Sequence, residues 1–212
     1  MAKKKPKPGS TKSNKHSAIV ALKKLQKGNE RFLGDAPINY PTAPKRSDFE
    51  HGQKPYAAVL CCADSRVSPE IMFNAGLDEL FVIRVAGNIA NTESIASIEY
   101  AVKALNTNLI VVVGHESCGA VGAALKNADQ TLDLGYNLNS LLSHINPAIV
   151  SAQKKKASFK KDPLTTTVKE NAKLTAHQLR ERSPIICKTR GVKIVSAYYH
   201  LISGKVDFSD FL

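Results

Sequence analysis

Apolar residues fall in short, solid runs through the middle of the chain and in spaced stripes on either side of them. Tyr56 to Cys62, Leu80 to Val85 and Leu109 to Val113 are rich in valine, leucine and isoleucine, without the polar alternation of a strand wet on one face. Such runs suit strands buried on both faces of a parallel sheet. Between them the period changes. Ile95, Ile98, Val102 and Leu105 recur at helical spacing, in a helix begun near Asn91 or Thr92. Ser68-Pro69-Glu70 reads as an N-cap, a first-turn proline and an early acid. Strand, helix, strand, helix, strand predicts right-handed crossovers and an α/β fold, its mostly parallel sheet flanked by helices.

The outer segments follow the same logic. Ser17 caps a helix running to Leu33, with Ala18, Leu22, Leu25, Asn29 and Phe32 on its apolar side. Gly34 and Pro37 end it, and Pro37, Pro41 and Pro44 set it apart as an N-terminal helical arm. Beyond Cys118, Gly119 to Leu125 and Asn137 to Val150 are helical in pattern, the second kinked or broken at Pro147. Thr167 to Arg182 is a further helix ending before Pro184. Val192 to Tyr198 reads as a strand, Ser203-Gly204 as a tight turn, and a short final strand follows. No internal repeat or second domain boundary interrupts residues 16–212, which are expected to form one domain.

A net charge of +12 suggests a polyanion partner until its distribution is seen. Lys3, Lys4, Lys5, Lys7, Lys12 and Lys15 carry half the excess, in a segment with no acid. With Pro6, Pro8, Gly9 and Ser10 among them, residues 1–15 are expected to be a flexible basic tail. Lys154-Lys155-Lys156 and Lys160-Lys161 form a second cluster, without interleaved aromatics. A specific nucleic-acid reader also needs stacking or base-edge groups, so none is expected as a partner. The tail lacks arginine, which argues against an organellar transit peptide. Leu109 to Val113 is too short to cross a bilayer, and Ala18 to Leu22 is interrupted by Lys23-Lys24 before it can serve as a secretory core. No membrane partner and a cytoplasmic location are the expectation.

Chemistry concentrates where the runs end. Cys62 closes the first run, with Asp64 and Arg66 just beyond it, and His115 and Cys118 follow the third. In open α/β sheets sites gather outside the carboxyl ends of strands, so groups far apart in sequence reach one crevice. Two thiols and an imidazole suit zinc over the oxygen-seeking magnesium and calcium. Three ligands leave one tetrahedral corner for water, which separates catalytic from structural zinc. Ionised Asp64 could accept a hydrogen bond from hydroxide there, and Arg66 could hold Asp64 bidentately. The bland alternatives are Cys62 and Cys118 as small core residues, His115 as a satisfied core histidine, and Asp64–Arg66 as a structural ion pair. Cys61 adjoins the ligand and could compete for metal or oxidise.

Three blocks carry a family resemblance: Cys62-Ala63-Asp64-Ser65-Arg66-Val67, Phe81-Val82-Ile83-Arg84-Val85-Ala86-Gly87-Asn88 and Gly114-His115-Glu116-Ser117-Cys118-Gly119. Together they resemble the signature blocks of the β-class carbonic anhydrases. The resemblance implies reversible hydration of carbon dioxide to bicarbonate and a proton through zinc-bound hydroxide. It implies one Zn2+ per subunit on Cys62, His115 and Cys118, with Asp64 and Arg66 as the orienting dyad. It also implies an arm that embraces a second subunit, and self-association as homodimer or homotetramer. Gln53, Phe81 and Tyr100 fall on the pocket positions of the open-site, plant-like subtype, contributed across a dimer interface. Val59 stands where the regulated subtype has tryptophan. Carbon dioxide would then lie against Val67, Phe81 and Tyr100, with Gln53 and a backbone amide near Gly119 bonding an oxygen. His51, His144, His177 and His200 are candidates for the proton shuttle. Two rivals remain at this point: a carbonyl sulfide or carbon disulfide hydrolase on the same fold, and a noncatalytic zinc-containing polyanion binder.

Overall fold

The three solid runs are strands β1 (Ala57–Cys61), β2 (Leu80–Arg84) and β3 (Leu109–His115) in the computed structural model, which describes residues 17–34, 50, 52–129 and 131–212. The lysine tail and the proline-rich connection lie outside the described residues, as does His51. Alternate positions of the central strands feed two cores. Ala57, Val59 and Cys61 of β1 join Leu109, Val111 and Val113 of β3 on one face, while Ala58, Leu60, Ile110 and Val112 pack on the other. Burial on both faces explains why these runs carry no polar alternation.

With β4 (Lys193–Tyr199) and β5 (Val206–Phe208), the sheet order is β2-β1-β3-β4-β5. The first four strands are mutually parallel and β5 is antiparallel to β4. Cys61 is in register with Val113 and with Arg84, and His115 with Tyr199, so the carboxyl ends of four strands meet along one rim. β2 forms one edge and is only half-buried.

Nine helices surround the sheet among the described residues: α1 (Ala18–Leu33), α2 (Pro69–Met72), α3 (Thr92–Ala104), α4 (Gly119–Lys126), α5 (Tyr136–Ser143), α6 (Asn146–Lys154), α7 (Lys156–Lys161), α8 (Pro163–Arg182) and α9 (Pro184–Lys188). The long helix expected over 137–150 is two, because Pro147 sits in the first turn of α6, where its missing N–H costs nothing. α8 starts a turn earlier than its apolar stripe suggests. The Asp162 carboxylate accepts the Thr165 N–H at 2.9 Å and caps it. α7 and α9, absent from the sequence reading, are short and follow directly on their neighbours.

The N-terminal helix is present, and its apolar side is buried against this same chain, with Ala18, Ala21 and Leu25 in the core beneath the sheet. Ser17 caps it by accepting the Val20 N–H. Asn29 ties it down further. Its amide donates to the carbonyls of Met72 (3.0 Å) and Gly204 (2.8 Å), and its oxygen accepts the Val206 N–H (2.9 Å). Gly204, at φ +74, makes the turn that brings β5 back beside β4.

Candidate metal centre

The rim where β1 and β3 end holds the three proposed ligands. Cys62 follows β1, His115 is the last residue of β3, and Cys118 precedes the first turn of α4. All three are buried, and one donor atom from each lies within 4.8 Å of the other two. Around a tetrahedral zinc with bonds of about 2.0–2.3 Å such atoms stand roughly 3.5–3.8 Å apart, so small side-chain movements close the set.

The histidine is oriented for this task. Its Nδ1 bonds the Glu116 carbonyl at 2.9 Å, which leaves Nε2 as the free lone pair. That Nε2 is buried and has no hydrogen-bond partner among the described residues, so a cation fits where a satisfied core histidine would have shown a donor. Cys62 Sγ accepts the Gly87 N–H at 3.4 Å. The hydrogen bond with Cys118 lowers the Cys62 thiol, against burial and with help from His115 and Gly87, while the same bond and burial push Cys118 up. One thiol of the pair therefore ionises well ahead of the other, and a metal would claim both as thiolates.

Asp64 and Arg66 lie at the edge of this centre. Arg66 Nε and Nη2 reach the two carboxylate oxygens at 2.9 and 2.7 Å, and the Arg66 N–H adds a bond of 3.0 Å to Oδ1. These bonds hold the Asp64 carboxyl well below the usual carboxylate range, against a smaller push from burial. Asp64 Oδ2 stands 3.9 Å from His115 Nε2, so the pair borders the same centre that the ligands surround.

Of the remaining candidates, two adjoin the centre and three do not. Gly119 opens α4 beside Cys118, exposed and with clear space at its Cβ position. Val67 is fully buried in the core on the α1 and α2 side of the sheet, and its N–H donates to the Asp64 carbonyl at 3.0 Å. Phe81 on β2 and Tyr100 on α3 have ring centroids 6.1 Å apart, and Gln53 shares a surface depression with Tyr100. This group lies at the opposite end of the strands. Phe81 pairs with Ala58, and four residues of strand at about 3.3 Å each put it roughly 13 Å from the level of Cys62. A single chain does not bring these residues to its own centre.

Cys61 does not compete for the metal. Neighbours on a strand point to opposite faces, and Cys61 is buried among Val59, Val67 and Val113, with its thiol pushed up to about 12 by burial. Two supports escaped the sequence reading. Arg84 Nε and Nη2 grip the carbonyls of Cys62 (3.2 Å) and Asp64 (2.6 Å), fixing the loop between ligand and dyad. Gly87, at φ +69, presents its N–H to sulfur while Asn171 holds its carbonyl at 2.7 Å. Both residues stand in the second sequence block, which was their only signal.

Comparison with known proteins agrees with this geometry. Residues 57–206 match the family model described as carbonic anhydrase. Carbonic anhydrase 2 of Mycobacterium tuberculosis is 44% identical over 135 residues, covering 62% of this chain and 64% of that protein, slightly under two thirds of its length. The carbonic anhydrase of Mycolicibacterium smegmatis is 35% identical over 198 residues, 92% of this chain and 94% of its own. Among solved structures, the β-carbonic anhydrase CcaA superposes with a TM-score of 0.69 at 28% identity, over 90% of this chain and 91% of its own. Matched in sequence and in fold over most of its length, the chain belongs to the β-class carbonic anhydrase family.

Proposed function

We propose that this chain catalyses the reversible hydration of carbon dioxide to bicarbonate and a proton, with one zinc ion per subunit on Cys62, His115 and Cys118. The observation that carries the reading is the bidentate Asp64–Arg66 pair set beside three converging donors, one of them a buried ring nitrogen without another partner. When bound, zinc would supply Lewis acidity, which lowers the pKa of a water held there toward neutrality.

This chain's residues do the rest. Asp64, ionised and held by Arg66, can only accept hydrogen bonds. It takes the proton of the attacking oxygen into a hydrogen bond, which turns that oxygen's lone pair toward carbon dioxide. Arg66 is itself steadied by the Ser117 carbonyl at 3.4 Å, so the dyad keeps one rotamer. The Asp64–Arg66 pairing, with Val59 where the regulated subtype has tryptophan, favours the open-site form.

Substrate contacts come from a second copy. Gln53, Phe81 and Tyr100 lie a strand's length from their own centre, on the side where β2 is a half-exposed edge and Tyr100 and Leu77 are exposed. In a homodimer, alone or paired again as a homotetramer, these residues line the partner's centre, with the Gly119 amide opposite them. Nothing among the described residues provides a membrane span, since no helix is long and apolar enough to cross a bilayer.

The test is stopped-flow hydration of carbon dioxide with zinc stoichiometry on the same sample, for wild type and Asp64→Asn. The variant should keep its zinc and lose at least about 10²-fold in turnover, because the nucleophile is no longer aimed. Near-wild-type turnover of that variant, or full activity without zinc, refutes the assignment. Faster turnover of carbonyl sulfide or carbon disulfide would replace the substrate.

A further inference from the structure

The Glu116 carbonyl that orients His115 belongs to a residue whose N–H and carboxylate both reach across to the end of β4 and the turn that follows it. Its N–H donates to the Tyr199 carbonyl at 2.9 Å. Its carboxylate Oε2 accepts the N–H of Leu201 at 2.9 Å and that of Ile202 at 3.4 Å. Its carbonyl meets His115 Nδ1 at 2.9 Å. Immediately afterwards Ser117 takes a left-handed step, φ +54, and leaves the strand. Beyond the Glu116 N–H on Tyr199 and the Arg66 bond to the Ser117 carbonyl, the grip on residues 201 and 202 is the side-chain tie that Glu116 itself adds to this segment. The gripped turn is firm. Gly204 N–H closes it onto the His200 carbonyl at 2.8 Å, and Asn29 of α1 holds Gly204 and Val206 from below.

We propose that the Glu116 carboxylate is a positioning residue for the metal centre. By holding the Leu201 and Ile202 N–H groups it fixes the carbonyl that sets the His115 ring plane, keeping the proton on Nδ1 and Nε2 facing the two sulfurs. The role rests on the metal reading above, and it extends the ligand's support from a local carbonyl to the turn that α1 clamps. What the two N–H groups require is an acceptor oxygen at the reach of a glutamate, not a charge.

That distinction makes the test. Glu116→Gln keeps reach and an acceptor, Glu116→Asp keeps the charge and loses one methylene, and Glu116→Ala loses both. For each full-length variant, zinc affinity is measured by competition with a chromophoric chelator, the visible spectrum is recorded with cobalt(II) in place of zinc, and the melting temperature of the metal-free protein is taken. The glutamine variant should stay within about threefold of wild type in affinity. The aspartate and alanine variants should lose about 10–100-fold, the usual cost of removing a ligand's outer support. Their cobalt band envelope should change as the imidazole swings, and a purely structural role would lower the melting temperature without moving either metal readout. Should alanine prevent folding, the glutamine–aspartate pair still decides. Wild-type affinity and spectrum in the aspartate variant overturn the role. So does the reversed order, aspartate intact and glutamine impaired, which would assign the effect to charge. A wild-type protein that takes up neither metal overturns the metal centre and this role together, and the wild-type measurement separates that failure from the others.

Discussion

Gly28→Ala sets two effects of opposite sign against each other. In the interior of α1, alanine is intrinsically better than glycine by about 1 kcal/mol, so propensity alone predicts stabilisation. The packing says otherwise. A Cβ at Gly28 would stand 1.9 Å from the Phe73 carbonyl oxygen and 2.9 Å from its carbon. Contact between carbon and oxygen becomes tolerable near about 3.3 Å, so helix and backbone must part by roughly 1.4 Å. The obstacle is main chain and cannot rotate away. A gap of about 0.5–1 Å already forfeits a quarter to a half of the dispersion, so this wider one would lose more at the interface that buries Ala21 and Leu25. It also stretches the Asn29 bonds to Met72 and Gly204, now 3.0 and 2.8 Å. Overpacking typically costs about 2 kcal/mol and each lost hydrogen bond about 1 kcal/mol, so the net change is a loss of about 3 kcal/mol. Urea unfolding at fixed protein concentration reads this directly. With a slope near 3 kcal/mol per molar, the midpoint should fall by about 1 M at unchanged slope. A midpoint equal to or above wild type would show that α1 does not rest on Phe73.

Two further outcomes follow from the ionisable groups. Glu170 is nearly buried, and although burial raises its carboxyl, bonds from Lys155 and Ser151 outweigh that and hold it below its ordinary value. A carboxyl depressed in the folded state stabilises above its unfolded pKa and loses that contribution as pH falls through the folded one. Glu170→Gln should therefore lower the unfolding midpoint at pH 7, and the gap to wild type should close below about pH 4; a gap that persists in acid would contradict the ion pair's part. Withdrawal of metal by a chelator should lower the melting temperature, and titrating zinc back should restore about 1.4 kcal/mol per tenfold of free ion above its dissociation constant. A melting curve indifferent to zinc would count against the triad as ligands.

The site was legible where it depends on strand ends, and illegible where it depends on backbone. Cys62 and His115 could be brought together from sequence because solid apolar runs precede both and parallel strands deliver their ends to one rim. The N–H of Gly87 and the carbonyl of Glu116 have no side-chain signature, so the donor to sulfur and the support of the histidine were invisible. Arg84 was seen in its block without a role, since nothing in a sequence says that a guanidinium will reach two carbonyls. The side of the sheet taken by Cys61 was readable from strand parity alone, and that would have removed it as a rival ligand. The early start of α8 was hidden by Thr165-Thr166-Thr167, a poor helical run by propensity. The hydroxyls of Thr166 and Thr167 instead bond back to the Asp162 and Pro163 carbonyls at 2.7 Å. Gln53, Phe81 and Tyr100 could be identified as a set, but their distance from their own centre follows only from the register.

The bonds from Asn29 to Gly204 and Val206 span 175 and 177 positions of the chain. A ribosome adding about 5–20 residues per second makes α1 well before the residues that clamp it. For on the order of ten to thirty seconds the nascent helix therefore carries Ala18, Ala21 and Leu25 without the final latch that secures them. During that interval a chaperone, or the same helix on a neighbouring nascent chain, competes for an apolar stripe that the finished molecule buries.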